Sequence, residues 1–494
     1  MNIILEILLA TLVVIFGWLS YYVYKQFTFL KVRGIPQLPP SFPMGNIGEI
    51  GRTKAFFDIL RDVYTKFKGT SPIAGFSFLF APSYMILDLD LIKNILIKDF
   101  SNFSDKGFFH NEKDDPLSGH LFALDGEKWR NMRHKLSPTF TSGKMKFMFP
   151  TVVGVSNRLI EVISSTIETD PIIEIKDVLA RFTTDIIGTC AFGIECNSLK
   201  DPDTEFNRRG NQMFTDHRHS QFVEALMFMY PKPARALKMK YNPEHVSEFF
   251  LKVVRENIDY REKNNIKRND FFNLLLEIKN SSSMKMEELA AQCFVFFLAG
   301  FETSSSTMGF CLYELAFNQD MQEKLREEIQ EGLKKNNGEL SYETMKEMKY
   351  LEQVVKETLR KYSILPNLVR MPIEDYPVPN SNFVIEKGVS LVIPVDAIMN
   401  DPEIYPDPEK FDPERFTREN IESRHQMTWL PFGDGPRNCI GLRFGKMQTY
   451  IGLIALLSKF KFSITDKTEK KLVYDLKSPL RRTMNGIFLK VEKI

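Results

Sequence analysis

The longest apolar run opens the chain: Ile7 to Val23, seventeen residues without a charge, between Glu6 and Lys25. That length is the short end of a membrane-spanning helix. The first basic residues, Lys25, Lys31 and Arg33, come after the run, and bulky Tyr21-Tyr22 stand at its exit. A cleavable signal peptide would carry basic charge before the run and small residues after it. The pattern therefore predicts a retained anchor with a lumenal N-terminus and a cytosolic body. Pro36, Pro39, Pro40 and Pro43, then Gly45, cannot continue a helix and predict a semi-rigid hinge. Apolar stretches at Ile73–Phe80 and Tyr84–Leu87 predict two strands, paired as a hairpin through Ala81-Pro82-Ser83. Helical spacing then dominates, over Asp177–Cys190, Met286–Phe317, Tyr350–Lys361 and Gly441–Ser458. Met286–Phe317 starts acidic and is apolar throughout, which predicts a buried central helix. Short strands return at Phe383–Ile385, Val389–Ile393 and near the C-terminus. Charge-rich Asp259–Asp270 and Asp466–Lys471 read as solvated surface. The expected class is α+β, mostly α. An anchor over 1–24, a basic, proline-rich hinge over 25–45 and one globular body over 46–494 complete the division.

Composition narrows this further. The 494 residues are 43% hydrophobic and contain no linker, low-complexity block or repeat that would split the body. Phenylalanine at 42 residues and methionine at 21 suit a large, adaptable apolar interior. A formal charge of +2 gives no reason to expect nucleic acid as a partner. Five scattered cysteines, without a C-x-x-C pair, argue against a disulfide framework and a zinc site and fit a reducing compartment. The sequons at Asn102 and Asn280 would stay bare in a cytosolic body.

The most telling stretch is Phe432-Gly-Asp-Gly-Pro-Arg437-Asn-Cys439-Ile-Gly441. A lone cysteine sits in a glycine loop just before a helix start, where unpaired N–H groups favour a thiolate. Such a thiolate suits haem iron, and Arg437 suits a haem propionate. A lone cysteine in a turn is otherwise structural. The ten residues match F-x-x-G-x-R-x-C-x-G without a gap, and here the chain resembles the cytochrome P-450 superfamily of haem-thiolate monooxygenases. The resemblance implies the P-450 fold, haem b, and Cys439 as the axial ligand of its iron.

Ala299-Gly300-Phe301-Glu302-Thr303-Ser304 lies within the long predicted helix. Thr303 is placed to bond back to the carbonyl of Ala299 and bend the helix. A small-residue helix contact is the plainer reading. The family's oxygen-groove motif resembles all six positions and implies catalytic roles for Thr303 and Glu302 in proton delivery. Glu357-Thr-Leu-Arg360 alone fits an ordinary surface pair. The family's E-x-x-R motif implies a buried pair, completed by Arg415 and structural in role. Trp129-Arg-Asn-Met-Arg133 resembles the family's W-x-x-x-R, and Arg370 stands where related enzymes bind a propionate. Arg133, Arg370 and Arg437 then serve two carboxylates, with Trp129 beside them, and Phe432, Gly441 and Ala299 complete the haem contacts. Lys106 departs from the arginine usual there, and a lysine is a point charge rather than a planar fork.

The stretch from Asn111 to Trp129, continued through Pro138–Lys144, looks like the insect microsomal family six, a detoxification group. Tyr362-Ser363-Ile364 departs from the prolines common there. The resemblance implies a pocket for lipophilic substrates built from Phe108, His120, Leu121, Phe122, Val295, Leu298, Leu365, Leu368 and Met484, each equally open to plain core packing. No Walker loop is present, and Gly433-Asp-Gly435 fails as a dinucleotide loop at Asn438. Electrons would therefore come from NADPH through a flavoprotein reductase, with cytochrome b5 as an additional donor, at the endoplasmic reticulum membrane. Lys128, Arg130, Lys135, Arg443 and Lys446 form a candidate basic patch for that partner, and a solvated helix face is the alternative. Two rival functions are a reductase-independent haem-thiolate isomerase or dehydratase and a non-catalytic haem sensor or carrier. The first class typically lacks the acid-threonine pair, and the second needs neither oxygen groove nor anchor.

Overall fold

The computed structural model describes residues 2–268, 270–282 and 284–494. Its largest core surrounds the central helix Met286–Phe317, with the bounds expected from sequence. The Glu288 carboxylate accepts the backbone N–H of Lys285 at 2.8 Å and fixes the helix start. Apolar on every face, this helix is sheathed by neighbours, chiefly helices Ile175–Ile187 and Leu442–Leu457. Phenylalanines fill the joints. The ring of Phe250 lies 5.1 Å from that of Phe294 and 5.4 Å from that of Phe297, in tilted arrangements favoured by aromatic quadrupoles. The helix expected over Asp177–Cys190 is regular to Ile187, then widens into a π-helical turn, Gly188–Phe192.

A second core lies under a sheet of order β1-β2-β7-β4. Its strands are β1 (Ile73–Phe78), β2 (Ala81–Ile86), β4 (Leu368–Arg370) and β7 (Ser390–Ile393). β2 runs parallel to β7 with Tyr84 opposite Leu391, and β4 runs antiparallel to β7 with Arg370 opposite Leu391. The hairpin turns earlier than expected. Leu79 takes the left-handed conformation at φ 52°, and Ala81-Pro82-Ser83 begins the second strand instead of forming the turn. Pro82 is tolerated because the bonds to β7 start only at Ser83. A three-stranded sheet joins β3 (Ile172–Glu174), β9 (Phe488–Lys493) and β8 (Phe460–Ser463), and β5 (Tyr376–Pro377) pairs with β6 (Val384–Ile385).

The N-terminal helix spans Asn2–Val32, so residues 25–32 of the expected hinge are helical. Its mean hydropathy reaches 2.4, and it is long and apolar enough to cross a membrane. Residues 3–20 are exposed on every side, whereas Leu30 is buried against the sheet lobe. The segment expected as solvated surface at Asp259–Asp270 also differs, with Asn269 outside the described residues. Arg261 is only 3% exposed and grips Asp270 through two bonds of 2.9 and 2.6 Å. A charge run looks solvated in sequence, but this pair supplies its own counter-charge and so can be buried.

Candidate active site

The cysteine loop is shaped by two glycines with left-handed backbone, Gly433 and Gly435. A Cβ on Gly435 would lie 1.8 Å from the carbonyl oxygen of Leu96, so the loop presses against the sheet lobe with no space for a side chain. The Cys439 N–H donates to Phe432 O at 2.8 Å and closes the loop. Helix Leu442–Leu457 follows from Gly441. The sulfur opens onto an interior cavity, yet it lies deep in the molecule. Burial pushes its thiol up, against the pull of the Gly441 backbone, Arg133 and Lys106. The expectation that the helix start alone favours a thiolate therefore does not hold for the free sulfur: desolvation is the larger effect. The other thiols, Cys190, Cys196, Cys293 and Cys311, are buried in apolar surroundings, and Cys190 and Cys311 are pushed up to about 12.

That cavity holds about 1460 Å³. Above the cysteine loop it is bounded by Ala299, Gly300 and Thr303 of the central helix. The Thr303 hydroxyl donates to the carbonyl of Ala299, as expected of a threonine one turn on. Gln448, from the helix after the cysteine, donates to Gly300 O at 2.9 Å and to Ser304 Oγ at 2.5 Å. These bonds hold the two helices at a fixed separation along the groove. Sequence offered no signal for Gln448, because its partners lie far away in the chain.

Glu302 is placed differently from its neighbour. It is absent from the cavity wall, buried on the opposite face, 3.1 Å from Lys176 Nζ, and accepts from Ser306 Oγ at 2.9 Å. One residue turns a helix by about 100°, so an acid beside a groove threonine faces elsewhere. Met484 is also displaced: it is 69% exposed and does not line the cavity. The C-terminal segment reaches the cavity through Leu480 instead.

Phe108, His120, Leu121, Phe122, Val295, Leu298, Leu365 and Leu368 all line the cavity. Phe108 and Phe122 stack at 5.4 Å. His120 is driven down to about 3 by burial and by the charge of Lys106, so it is neutral at ordinary pH. The Leu121 N–H donates to Gln292 of the central helix at 2.9 Å, which ties this loop over the cavity.

At the end near the cysteine loop, positive charge collects. Lys106, Arg133, Arg370 and Arg437 all line the cavity. Asp125 is their ion-pair partner among the described residues, 3.2 Å from Arg437, and it also accepts the backbone N–H groups of Lys106 and Gly107. Arg437 lies 4.5 Å over the Trp129 ring. Arg133 donates to the carbonyl and side chain of Asn438 at 2.9 and 2.8 Å, bracing the cysteine loop. Arg370 is buried and lowered to about 9, by desolvation and then by the charge of Arg437. Lys106, lying 3.5 Å over the Phe122 ring, is lowered well below its usual range by burial, then by Arg437 and Arg370. The Nε atoms of Arg370 and Arg437 are buried without a partner. A surplus of buried cations with orphaned donors calls for a bound dianion. The two propionates of haem would fit it, and Phe432 and Gly441 also line the wall there.

Behind the cysteine loop, Glu357 and Arg360 are both fully buried and joined at 2.7 and 3.0 Å. Arg415 approaches Glu357 at 3.5 Å, and the Asp412 N–H donates to the same carboxylate at 2.9 Å. The surface-pair reading of this motif is thus corrected: the helix face it occupies is covered by the segment carrying Arg415.

Comparison with known proteins agrees with this architecture. The cytochrome P450 family profile matches residues 36–490. Cytochrome P450 6a8 of Drosophila melanogaster is 51% identical, with 99% of each chain covered, and cytochrome P450 6a2 of the same organism is 48% identical over 99% of this chain and 100% of its own length. Probable cytochrome P450 6a14 is 50% identical over 95% of this chain and 96% of its own. With a family match across the body and relatives aligned end to end, the chain belongs to the cytochrome P450 family and is a monooxygenase-class oxidoreductase.

Proposed function

We propose that the chain is a membrane-anchored monooxygenase that inserts one oxygen atom of dioxygen into lipophilic small molecules, in the detoxification of foreign compounds such as plant toxins and insecticides. Haem b would be held through Cys439 at the iron and through Arg133, Arg370, Arg437 and Trp129 at the propionates. When bound, haem supplies the activation of dioxygen and its transfer to carbon. The chain's residues supply the rest. Phe108, Phe122, Val295, Leu298, Leu365 and Leu368 exclude water and position an apolar substrate, and Thr303 holds a proton at its hydroxyl beside the groove. Glu302 serves from a distance, because its carboxylate is held by Lys176 and does not line the cavity. Electrons come from NADPH through a flavoprotein reductase, with cytochrome b5 as an additional donor. The body would face the cytosol at the endoplasmic reticulum membrane, held by the apolar N-terminal helix.

One observation carries this reading: a largely apolar cavity ends in a cluster of cations that outnumber their acidic partners, two with an orphaned Nε, beside an accessible cysteine. The test combines three measurements on the full chain. The ferrous–CO complex should show the red-shifted Soret band of thiolate ligation, lost in Cys439→Ser. Lipophiles should displace the haem-bound water and raise NADPH consumption with added reductase. A normal CO band with no reductase-dependent turnover across a broad lipophile set would favour the isomerase class.

A further inference from the structure

The cavity that begins at Cys439 ends against the N-terminal helix. Tyr22, Gln26 and Phe29 line it there. With Leu30 they fall at i, i+4, i+7 and i+8, on one helix face. Across the opening stand Phe222, Phe228 and Tyr230, also in the cavity wall. The Tyr22 and Tyr230 hydroxyls are 3.2 Å apart and form a hydrogen bond between the two sides.

This part of the helix is fastened to the body. Leu30 is 1% exposed and fills the space over Gly75, where a Cβ would lie 2.6 Å from Leu30 Cδ1. One turn on, the Arg33 guanidinium lies 3.6 Å over the Phe29 ring and donates to Glu386, whose other carboxylate oxygen accepts from the Tyr84 hydroxyl. The preceding turns, residues 3–20, are apolar and exposed on every side. One helix therefore carries a bare apolar section and a docked section, and the cavity wall reaches the helix where the first gives way to the second.

We propose that the docked turns of the N-terminal helix form one wall of the ligand entrance, latched by the Tyr22–Tyr230 contact, so that lipophiles reach the cavity along the helix from the apolar phase around residues 3–20. The proposal rests on the reading of the chain as an anchored haem protein. Tyrosine suits the position, with an apolar ring and a polar tip at the boundary between apolar and aqueous phases. A single hydroxyl–hydroxyl bond is a weak closure that opens readily.

The test uses the full chain, loaded with haem, in nanodiscs of dioleoyl phosphatidylcholine. The probes are 4-phenylimidazole, a lipophile that binds haem iron with an absorbance change, and imidazole, a small polar analogue. Tyr22→Cys with Tyr230→Cys is joined by a bis-maleimide carrying a disulfide in its linker. The native thiols would not compete, because four are buried and Cys439 would be taken up by iron in the haem-loaded protein. The link should slow 4-phenylimidazole binding at least fivefold, leave imidazole within twofold, and be reversed by reduction. Tyr22→Phe should raise both the on-rate and the off-rate of 4-phenylimidazole at least twofold, with Kd unchanged. Failure to link the two positions, an unchanged 4-phenylimidazole rate in the linked protein, equal slowing of imidazole, or unchanged rates in Tyr22→Phe would each overturn the proposal. A missing ferrous–CO band would instead remove the haem reading on which it rests.

Discussion

Thr303 and Glu302 are adjacent in sequence and face opposite ways in the protein. The threonine hydroxyl stands at the cavity, bonded to the carbonyl of Ala299, while the carboxylate is held by Lys176. Their losses should therefore differ in kind. Thr303→Ala removes the group that decides where a proton arrives, so more peroxide should be released per product, severalfold, with the CO band intact. Glu302→Gln removes a remote source. Turnover should slow by roughly a hundredfold, the low end of what a lost acid–base group costs, without a higher peroxide fraction. Stopped-flow turnover and a peroxide assay on both variants separate the roles, and equal peroxide release from the two would refute the distinction. At this scale the sequence was legible where chemistry is local. Cys439, Thr303 and the three arginines, named from short motifs that resemble the family's, do line one cavity. Lys176 and Gln448 were not named, because each meets its partners only after the chain has folded. Met484 was misplaced because the bends between the last strands decide which side chain reaches inward.

Among elements, the long central helix was the easiest to read, since a long run with apolar residues on all sides and few charges has only one stable place, inside. The hairpin turn was harder. Proline usually marks a turn, yet here the left-handed Leu79 makes it and Pro82 starts a strand. Burial of charge was the least legible feature: Glu357–Arg360 and Arg261–Asp270 look like surface residues until their partners arrive. Their cost is measurable. Glu357→Ala would leave Arg360 fully buried and uncompensated, and Arg415 without its carboxylate, a loss of ~3–5 kcal/mol. Thermal unfolding should show a clearly lower midpoint and haem retention should fall. Glu422→Ala, which breaks the Arg418–Glu422 pair exposed on both sides, should change little.

For the whole molecule, the formal charge of +2 conceals local imbalance. On the far side of the cysteine loop a small recess of about 220 Å³ is lined by Cys439, Ile440, Leu442 and Arg443, among others. Arg443 is exposed beside it, while Lys446 is already paired with Glu352 at 3.0 Å, and Lys128 with Glu112 at 2.8 Å. The expected basic patch is thus partly neutralised, while Arg130 and Arg443 stay exposed with no acidic partner among the described residues, and Arg443 borders the recess. An acidic reductase surface steered to this face would feel that charge most, and salt would weaken the effect. Arg443→Glu should slow the first electron transfer more than Lys446→Glu does, with the larger loss at low ionic strength. Substrate binding and the CO spectrum after chemical reduction should survive in both. Equal, salt-independent rates in the two variants would place the docking face elsewhere.

The contact of Gly435 with the Leu96 carbonyl joins the cysteine loop to the sheet lobe with nothing between them. Its meaning is clearest at the level of the gene. Every missense change in a glycine codon adds a side chain, and here even a methyl group is a wedge driven between the two halves of the molecule. Allelic variants at this codon should therefore behave alike, as null alleles, whatever amino acid they introduce, whereas a codon specifying a cavity phenylalanine can drift and yield a graded series of altered substrate ranges.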